Sequence, residues 1–170
     1  MQKSIFAASV FTVFFLSSPE VNQYYQSLPE RNKQILCLAK NIYFEAATES
    51  FEGKSAVSQI VMNRVNDPRF PKDVCSVVYD NNGKVYQFSW VGQKGKRITN
   101  SFAWEESLYV AKKAVDGDTT HPALRDRNAL YYHADYVNPR WKLRKVAVIG
   151  RHIFYKRDSD LQTMNKEIKL

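Results

Sequence analysis

Two carboxylates stand four positions apart, Glu45 and Glu49, at the end of an apolar segment. The apolar residues of that segment recur at helical spacing: Ile35, Leu38, Ala39, Ile42 and Ala46. They predict a buried helix that carries Glu45 in its last turn, beside Tyr43 and Phe44. Burial disfavours the charged carboxylate and raises its pKa, which suits a general acid for glycosidic bond cleavage. Glu45 is therefore the candidate catalytic residue; the alternative is a helix-terminal Glu on a solvated face.

Glu49 is the candidate partner of Glu45. Glycan hydrolysis by two carboxylates needs a second group that attacks or stabilises the oxocarbenium-like centre. The spacing of four places both residues on one helix face only if the helix continues, and Thr48 indicates that it does not. We therefore expect Glu49 to bind or position substrate.

The second half of the chain supplies further candidates for substrate binding. Polar side chains at positions 87 and 89 suit sugar hydroxyls, aromatic rings suit stacking on a pyranose face, and the segment 131–133 suits the opposite wall of a cleft. For each aromatic residue the alternative is core packing, which is the preferred interpretation of Phe88 and Tyr131. The candidate substrate-binding residues are Gln87, Ser89, Trp90, Tyr132, His133 and Trp141.

Several blocks, taken in order, resemble the SleB-type cell wall hydrolases, the spore-cortex-lytic and related bacterial and phage enzymes. These blocks are residues 42–46, 52–57, 61–65, 70–79, 87–90, 129–134, 139–141 and 149–155. The resemblance implies a lysozyme-like fold and cleavage of peptidoglycan between N-acetylmuramic acid and N-acetylglucosamine. It also implies a lytic transglycosylase, in which Glu45 acts first as acid and then as base; hydrolysis by two carboxylates remains the alternative.

One motif departs from the family pattern. The family usually reads Glu-Ala-Arg-Gly-Glu where this chain has Glu-Ala-Ala-Thr-Glu at 45–49. Both carboxylates are kept, but the Arg and the Gly between them are not. If that Arg orients a saccharide or its acidic partner, binding by this chain is weaker or differently selective.

Two other functions stay open. A zinc amidase that cuts the muramoyl-alanine bond would need His121, His133 and His152 with Glu45, yet none of these lies in a motif such as His-Glu-x-x-His. A non-catalytic module that binds peptidoglycan would leave Glu45 without a role. No cofactor and no metal are expected.

The N-terminal segment predicts export. Residues 4–18 carry no charge, and residues 5–16 form an apolar core typical of a signal peptide and too short for a membrane span of about 20 residues. We expect residues 1–18 to be a signal peptide or an N-terminal anchor, the latter giving membrane association; the alternative is an apolar helix packed on the domain. The expected location is the periplasm, cell wall or extracellular space.

The chain contains two cysteines, Cys37 and Cys75. Two cysteines in an exported protein usually pair, so a disulfide between them is expected. The alternative is a pair of buried free thiols. Metal binding by these thiols is not expected, because no second Cys or His lies at ligand spacing from either of them.

The net charge of +8 is concentrated near the C-terminus. From position 138 onwards, nine Lys or Arg residues stand against three acidic residues. A basic face suits an anionic polymer such as peptidoglycan; a membrane surface, nucleic acid or plain solvation are the alternatives. We expect peptidoglycan as partner, no nucleic acid, and a monomer.

Periodicity predicts an α+β fold, with helices first and a small antiparallel sheet in the second half. We expect one catalytic domain over 31–157 and a basic tail over 158–170. The predicted helices cover 31–46, 50–66, 74–79 and 101–115, and the predicted strands cover 85–90, 129–133 and 146–155.

Overall fold

The computed structural model describes residues 19–157, except positions 82, 84 and 119 and the side chains at 19–21. The predicted signal peptide or anchor at 1–18 and the basic tail at 158–170 lie outside the described residues. Over the stretch that is described, no helix combines the length and the apolar character needed to cross a membrane.

The first two thirds of the described chain are mainly helical. The four predicted helices are confirmed, and two short ones, α1 and α6, were not predicted. The helices are α1 (Pro19–Ser27), α2 (Glu30–Ala46), α3 (Phe51–Asn66), α4 (Val74–Tyr79), α5 (Ser101–Val115) and α6 (Pro122–Asp126).

Side-chain caps begin the helices at the expected places. The Ser50 hydroxyl accepts a bond from Gly53 N at 3.3 Å at the start of α3. The side chains of Asp73 and Asn100 accept bonds in the same way at the starts of α4 and α5, at 2.8 and 3.0 Å. Each cap satisfies a backbone N–H that the helix cannot, which fixes where the helix begins.

The main core forms where α2 packs against α3, α4 and α5. Leu38 and Ile42 on α2 and Val61 on α3 are fully buried in it. The predicted bridge between Cys37 and Cys75 is confirmed and joins α2 to α4, with Cα atoms 5.2 Å apart. Helix α2 is therefore held by packing on several sides and by one covalent link.

The second half contains a three-stranded antiparallel sheet: β1 (Tyr131–Ala134), β2 (Arg144–Ile149) and β3 (His152–Lys156), in the order β1-β3-β2. The predicted stretch 146–155 is two strands that form a hairpin, because Gly150 turns the chain with φ +54°. Tyr132 pairs with Phe154 on one face, whereas Tyr131 pairs with Tyr155 on the other. The α+β prediction is confirmed.

The predicted strand at 85–90 is wrong. This segment is a loop that ends in a 3-10 turn at Ser89–Gly92. Phe88 and Trp90 are buried and Ser89 is exposed, so the alternation that suggested a strand is real. The backbone nevertheless bonds locally, with Gln87 N donating to Asp80 O and Val91 N to Phe88 O, and it joins no sheet.

Candidate active site

Glu45 lies in the last turn of α2, as predicted. The helix ends at Ala46, and the backbone N–H of Glu49 closes the following turn on Ala46 O at 3.0 Å. The preceding residue, Phe44, packs its ring against Trp90 with centroids 4.8 Å apart. Glu45 therefore projects from a well-packed helix end and is itself only partly exposed.

The Glu45 carboxyl meets Tyr132 of β1. The Tyr132 hydroxyl donates a hydrogen bond to Glu45 Oε2 at 3.1 Å. Burial raises the pKa of Glu45, while the Tyr132 hydrogen bond and the charges of Arg64 and Lys96 oppose that rise. Burial also raises the pKa of Tyr132 well above its ordinary value, so the phenol stays neutral and keeps its proton to donate.

Arg64 is a site residue that the sequence analysis missed. It is 5 % exposed, its Nε donates to Leu130 O at 2.9 Å, and its guanidinium carbon lies 5.2 Å from the Phe88 ring centre and 5.3 Å from that of Phe70. The aromatic faces stabilise the buried cation. A cation within the apolar stripe of α3 is the signal that could have identified it.

Glu49 contacts the β2–β3 hairpin. Both carboxylate oxygens accept from the backbone N–H of Arg151 at 3.3 Å, and the Glu49 side chain is 9 % exposed. A Cβ at Gly150 would lie 1.8 Å from Glu49 Oε2, and one at Gly53 would lie 2.9 Å from it. Two glycines therefore leave room for this carboxylate, which is directed at protein backbone.

His152 lies between Glu49 and Tyr132. Its Nδ1 is 4.0 Å from Glu49 Oε1 and its ring meets that of Tyr132 edge-on at 5.2 Å. Burial lowers the pKa of His152, and the Glu49 charge opposes that change. His152 is therefore neutral near pH 7 and packs as a structural ring between Glu49 and Tyr132.

A groove is bordered by Phe44, Trp90 and Lys96, among others, and Glu45 is not part of its lining. Trp90 is 8 % exposed, and its Nε1 donates to Asn41 Oδ1 at 3.0 Å. Little of its ring is therefore free to meet a sugar. Gln87 is partly buried and Ser89 is exposed on the loop that leads to this groove.

His133 and Trp141 lie away from Glu45. His133 alternates with Tyr132 along β1, so the two side chains point to opposite faces of the sheet. Its ring stacks on Tyr155 at 5.2 Å, and the Trp141 ring meets both rings edge-on at 5.5 and 6.0 Å. The structure thus groups Glu45, Tyr132 and Arg64, and separates His133 and Trp141 from them.

The three histidines have three different surroundings. His121 Nε2 lies 3.6 Å from Glu52, His133 bonds to the Tyr155 hydroxyl, and His152 lies beside Glu49. Within the described ranges, no three His, Cys, Asp or Glu side chains gather closely enough to hold a metal ion.

Comparison with known proteins identifies relatives of the chain. The family model described as Cell Wall Hydrolase matches residues 48–155, beginning three positions after Glu45. A spore cortex-lytic enzyme of Bacillus subtilis (strain 168) is 39 % identical over 133 residues, which cover 72 % of this chain and 37 % of that one. One from Bacillus cereus is 30 % identical over 125 residues, 72 % of this chain and 44 % of that one. The chain thus spans about two fifths of the length of these relatives.

Solved structures show the same fold. The catalytic domain of the Bacillus cereus SleB protein superposes with a TM-score of 0.56 at 26 % identity, over 74 % of this chain and 91 % of that one. The catalytic domain of the germination-specific lytic transglycosylase SleB from Bacillus anthracis superposes with a TM-score of 0.56 at 26 % identity, over 76 % of this chain and 98 % of that one. The lysozyme-like α+β prediction is confirmed, and the chain belongs to the cell wall hydrolase family.

Proposed function

We propose that the chain cleaves the glycan strand of peptidoglycan between N-acetylmuramic acid and N-acetylglucosamine, as a lytic transglycosylase with Glu45 as its single acid and base. The observation that carries this proposal is the desolvated Glu45 carboxyl, whose Oε2 accepts a hydrogen bond from the neutral Tyr132 hydroxyl. A relative of known structure is named a lytic transglycosylase, which supports the same reaction.

In the first step Glu45 acts as acid. Its raised pKa increases the protonated fraction of the carboxyl, and the protonated form gives its proton to the glycosidic oxygen as the bond from that oxygen to C1 of the muramic acid breaks. The leaving sugar departs with a hydroxyl, and positive charge develops at C1. Glu45 is left as a carboxylate, which the Tyr132 hydroxyl stabilises.

In the second step Glu45 acts as base. It takes the proton from the C6 hydroxyl of the same muramic acid while that oxygen bonds to C1. This forms a 1,6-anhydro end and restores the protonated carboxyl. One residue must therefore be stable in both protonation states, which suits a carboxyl whose burial is partly offset by Tyr132 and by the Arg64 charge.

The surroundings of Glu49 support the use of a single carboxylate. Its oxygens are directed at the backbone N–H of Arg151, and its side chain is nearly buried. A nucleophile or a base for water must reach the sugar face opposite the acid. Glu49 instead suits a positioning role, joining the end of α2 to the sheet that carries Tyr132.

Mass spectrometry of muropeptides released from purified sacculi tests the reaction. We expect 1,6-anhydro ends, and Glu45→Gln should release none. Reducing ends would indicate hydrolysis, and free stem peptides that disappear with a chelator would indicate the zinc amidase. Binding of sacculi without any released product would indicate a non-catalytic module.

The proposed substrate lies outside the cytoplasmic membrane, so the proposal includes export. The Cys37–Cys75 disulfide agrees with an oxidising compartment. Peptide mapping under non-reducing conditions, on protein recovered from the periplasm or medium, should find one cross-linked pair. Recovery of the protein only in the cytoplasm with two free thiols would contradict export.

A further inference from the structure

The face of the sheet opposite Glu45 carries a cluster of aromatic rings. We call this cluster the outer aromatic face; it comprises Tyr131, His133, Trp141 and Tyr155. Trp141 is 45 % exposed, and the other three residues are partly exposed. Tyr132, between two of these residues in β1, points instead to Glu45, so Tyr132 and His133 lie on opposite faces of the sheet. Tyr131 borders the Glu45 site, because its ring centre lies 5.9 Å from the Arg64 guanidinium carbon.

The rings of this face are held in place. The His133 Nε2 and the Tyr155 hydroxyl form a hydrogen bond of 2.9 Å, and the two rings are stacked. Trp141 meets both edge-on. Aromatic rings fixed in this way lose little conformational entropy when a ligand covers them. They offer flat apolar surface beside polar atoms, which suits the C–H faces and hydroxyls of saccharide rings.

Positive charge adjoins the rings. Lys145 is the cross-strand neighbour of Tyr155 and is exposed, and the Arg157 guanidinium carbon lies 5.6 Å from the Tyr131 ring centre. The three strands contain no Asp or Glu. Among the described residues, neither Lys145 nor Arg157 forms an ion pair with a carboxylate. The face therefore complements an anionic ligand.

We infer that the outer aromatic face is a second binding site for peptidoglycan, distinct from the cleavage site at Glu45. Sugar rings of the glycan strand would stack on Trp141 and its neighbours, and carboxylates of the stem peptides would pair with Lys145 and Arg157. This inference rests on the proposed function, since it takes the same polymer as ligand. Its consequence is that intact sacculi are held at two points, whereas a short soluble fragment occupies the Glu45 site alone.

The test measures binding to sacculi in a Glu45→Gln background, in which the substrate is not degraded. Trp141→Ala should weaken binding roughly tenfold, equivalent to about 1.4 kcal/mol. Lys145→Gln with Arg157→Gln should weaken it to a similar extent at low salt and less at high salt, because exposed charges are screened. Lys145 and Arg157 are exposed, so their replacement tests the inference even if Trp141→Ala perturbs its loop.

Matched controls lie on α5. Phe102→Ala removes a ring that is 70 % exposed, and Lys112→Gln with Lys113→Gln removes two charges; neither should change binding by more than about twofold. In the active protein, the outer-face variants should cleave a soluble tetrasaccharide fragment with unchanged kcat/KM.

Three results would overturn the inference. The first is that the outer-face substitutions leave binding to sacculi unaffected. The second is that cleavage of the short fragment falls together with binding, which would place this face in the cleavage site. The third is that the substitutions abolish binding to DNA or RNA and leave binding to sacculi intact. If Glu45→Gln still released muropeptides, the proposed function would fail instead, whatever the outer face binds.

Discussion

At the scale of single residues, the proposed chemistry depends on how the surroundings of Glu45 balance its two protonation states. Burial favours the acid, while the Tyr132 hydrogen bond and the Arg64 charge favour the carboxylate. A solvated Glu would be ionised and could not protonate a leaving group at neutral pH. A Glu with burial alone would be a poor base in the second step. The opposing influences therefore suit a residue that exchanges one proton twice in each turnover.

Glu45→Gln should abolish cleavage and, at neutral pH, stabilise the fold. Because general acid catalysis contributes a factor of at least about 100 to the rate, the variant should lose at least that much activity. Turbidity loss of sacculi measures the activity. Because the pKa of Glu45 is raised in the folded state, its contribution to stability is full below the unfolded pKa and is lost as pH rises through the folded pKa. The variant should therefore melt at higher temperature than the wild type near pH 7, and at the same temperature near pH 3.

Glu49→Gln is the matched control, because it changes a carboxylate that contacts protein backbone. It should retain measurable turnover. If Glu49→Gln were inactive while Glu45→Gln kept substantial activity, the roles assigned to the two residues would be wrong.

Tyr132→Phe should move the pH profile. The Tyr132 hydrogen bond lowers the pKa of Glu45, so its removal raises that pKa and keeps the acid protonated to higher pH. The alkaline limb of kcat/KM on soluble fragments should shift upward, with a loss of activity of up to about tenfold from the missing hydrogen bond. Tyr109→Phe on α5, at an exposed tyrosine, should leave the profile unchanged. An unmoved limb in Tyr132→Phe would show that the phenol does not tune Glu45.

Sequence patterns located Glu45 but not its surroundings. The apolar stripe of α2 is local information, and it was sufficient to place the carboxyl at the end of a buried helix. The bond from Tyr132 joins residues 87 positions apart, and no local pattern encodes that distance. His133 was expected on the same cleft wall as Tyr132, yet strand alternation places it on the other face of the sheet.

At the scale of elements, Glu49 connects the turn between α2 and α3 to the hairpin of β2 and β3. The hairpin residue Gly150 lies against the Glu49 carboxylate with a left-handed backbone. This contact fixes the sheet relative to the end of α2. The Glu45–Tyr132 pair spans the same two parts of the fold, so the position of Tyr132 depends on the hairpin.

Gly150→Ala should destabilise the fold more than a glycine replacement at an open turn. The left-handed conformation costs a non-glycine residue about 1–2 kcal/mol, and the new Cβ would also collide with Glu49 Oε2. Gly117→Ala is the matched control, because φ there is +97° and nothing lies within 4 Å of the added Cβ. Urea denaturation measures both variants.

A double-mutant cycle separates the two causes. In a Glu49→Ala background the collision is absent, so Gly150→Ala should cost only as much as Gly117→Ala. Equal costs of Gly150→Ala in both backgrounds would show that Glu49 does not occupy the space that Gly150 leaves.

The helices were predictable because caps and apolar periodicity are local. Ser50 and Asn100, which cap the starts of α3 and α5, are residue types that favour this position. The segment 85–90 was not predictable in the same way, since alternating burial arises equally in a strand and in a loop folded over the core. Whether such a segment becomes a strand depends on a neighbouring strand with which its backbone can pair. The sheet of this protein consists of β1, β2 and β3, and segment 85–90 does not pair with it.

At the scale of the whole molecule, the disulfide restrains the helical half of the chain. It joins Cys37 in α2 to Cys75 in α4, across 38 positions that contain Glu45, Glu49 and Arg64. Helix α4 has six residues, too few to be stable alone, so its place depends on packing and on this link. Glu45 and Arg64 lie within the loop that the bridge closes, whereas Tyr132 lies outside it.

Cys37→Ala with Cys75→Ala should lower the free energy of unfolding by roughly 4 kcal/mol, the chain-entropy value for a loop of this length. Urea denaturation with and without reductant measures it: the wild-type midpoint should fall on reduction to about that of the double variant, and the variant should not respond. Alanine suits the buried Cys37 site because it adds no polar group. If thiol titration proves the bridge broken and the wild-type midpoint does not move, packing alone holds α4. The geometry around Glu45 would then not depend on the bridge, because α2 and α3 would keep their positions without it.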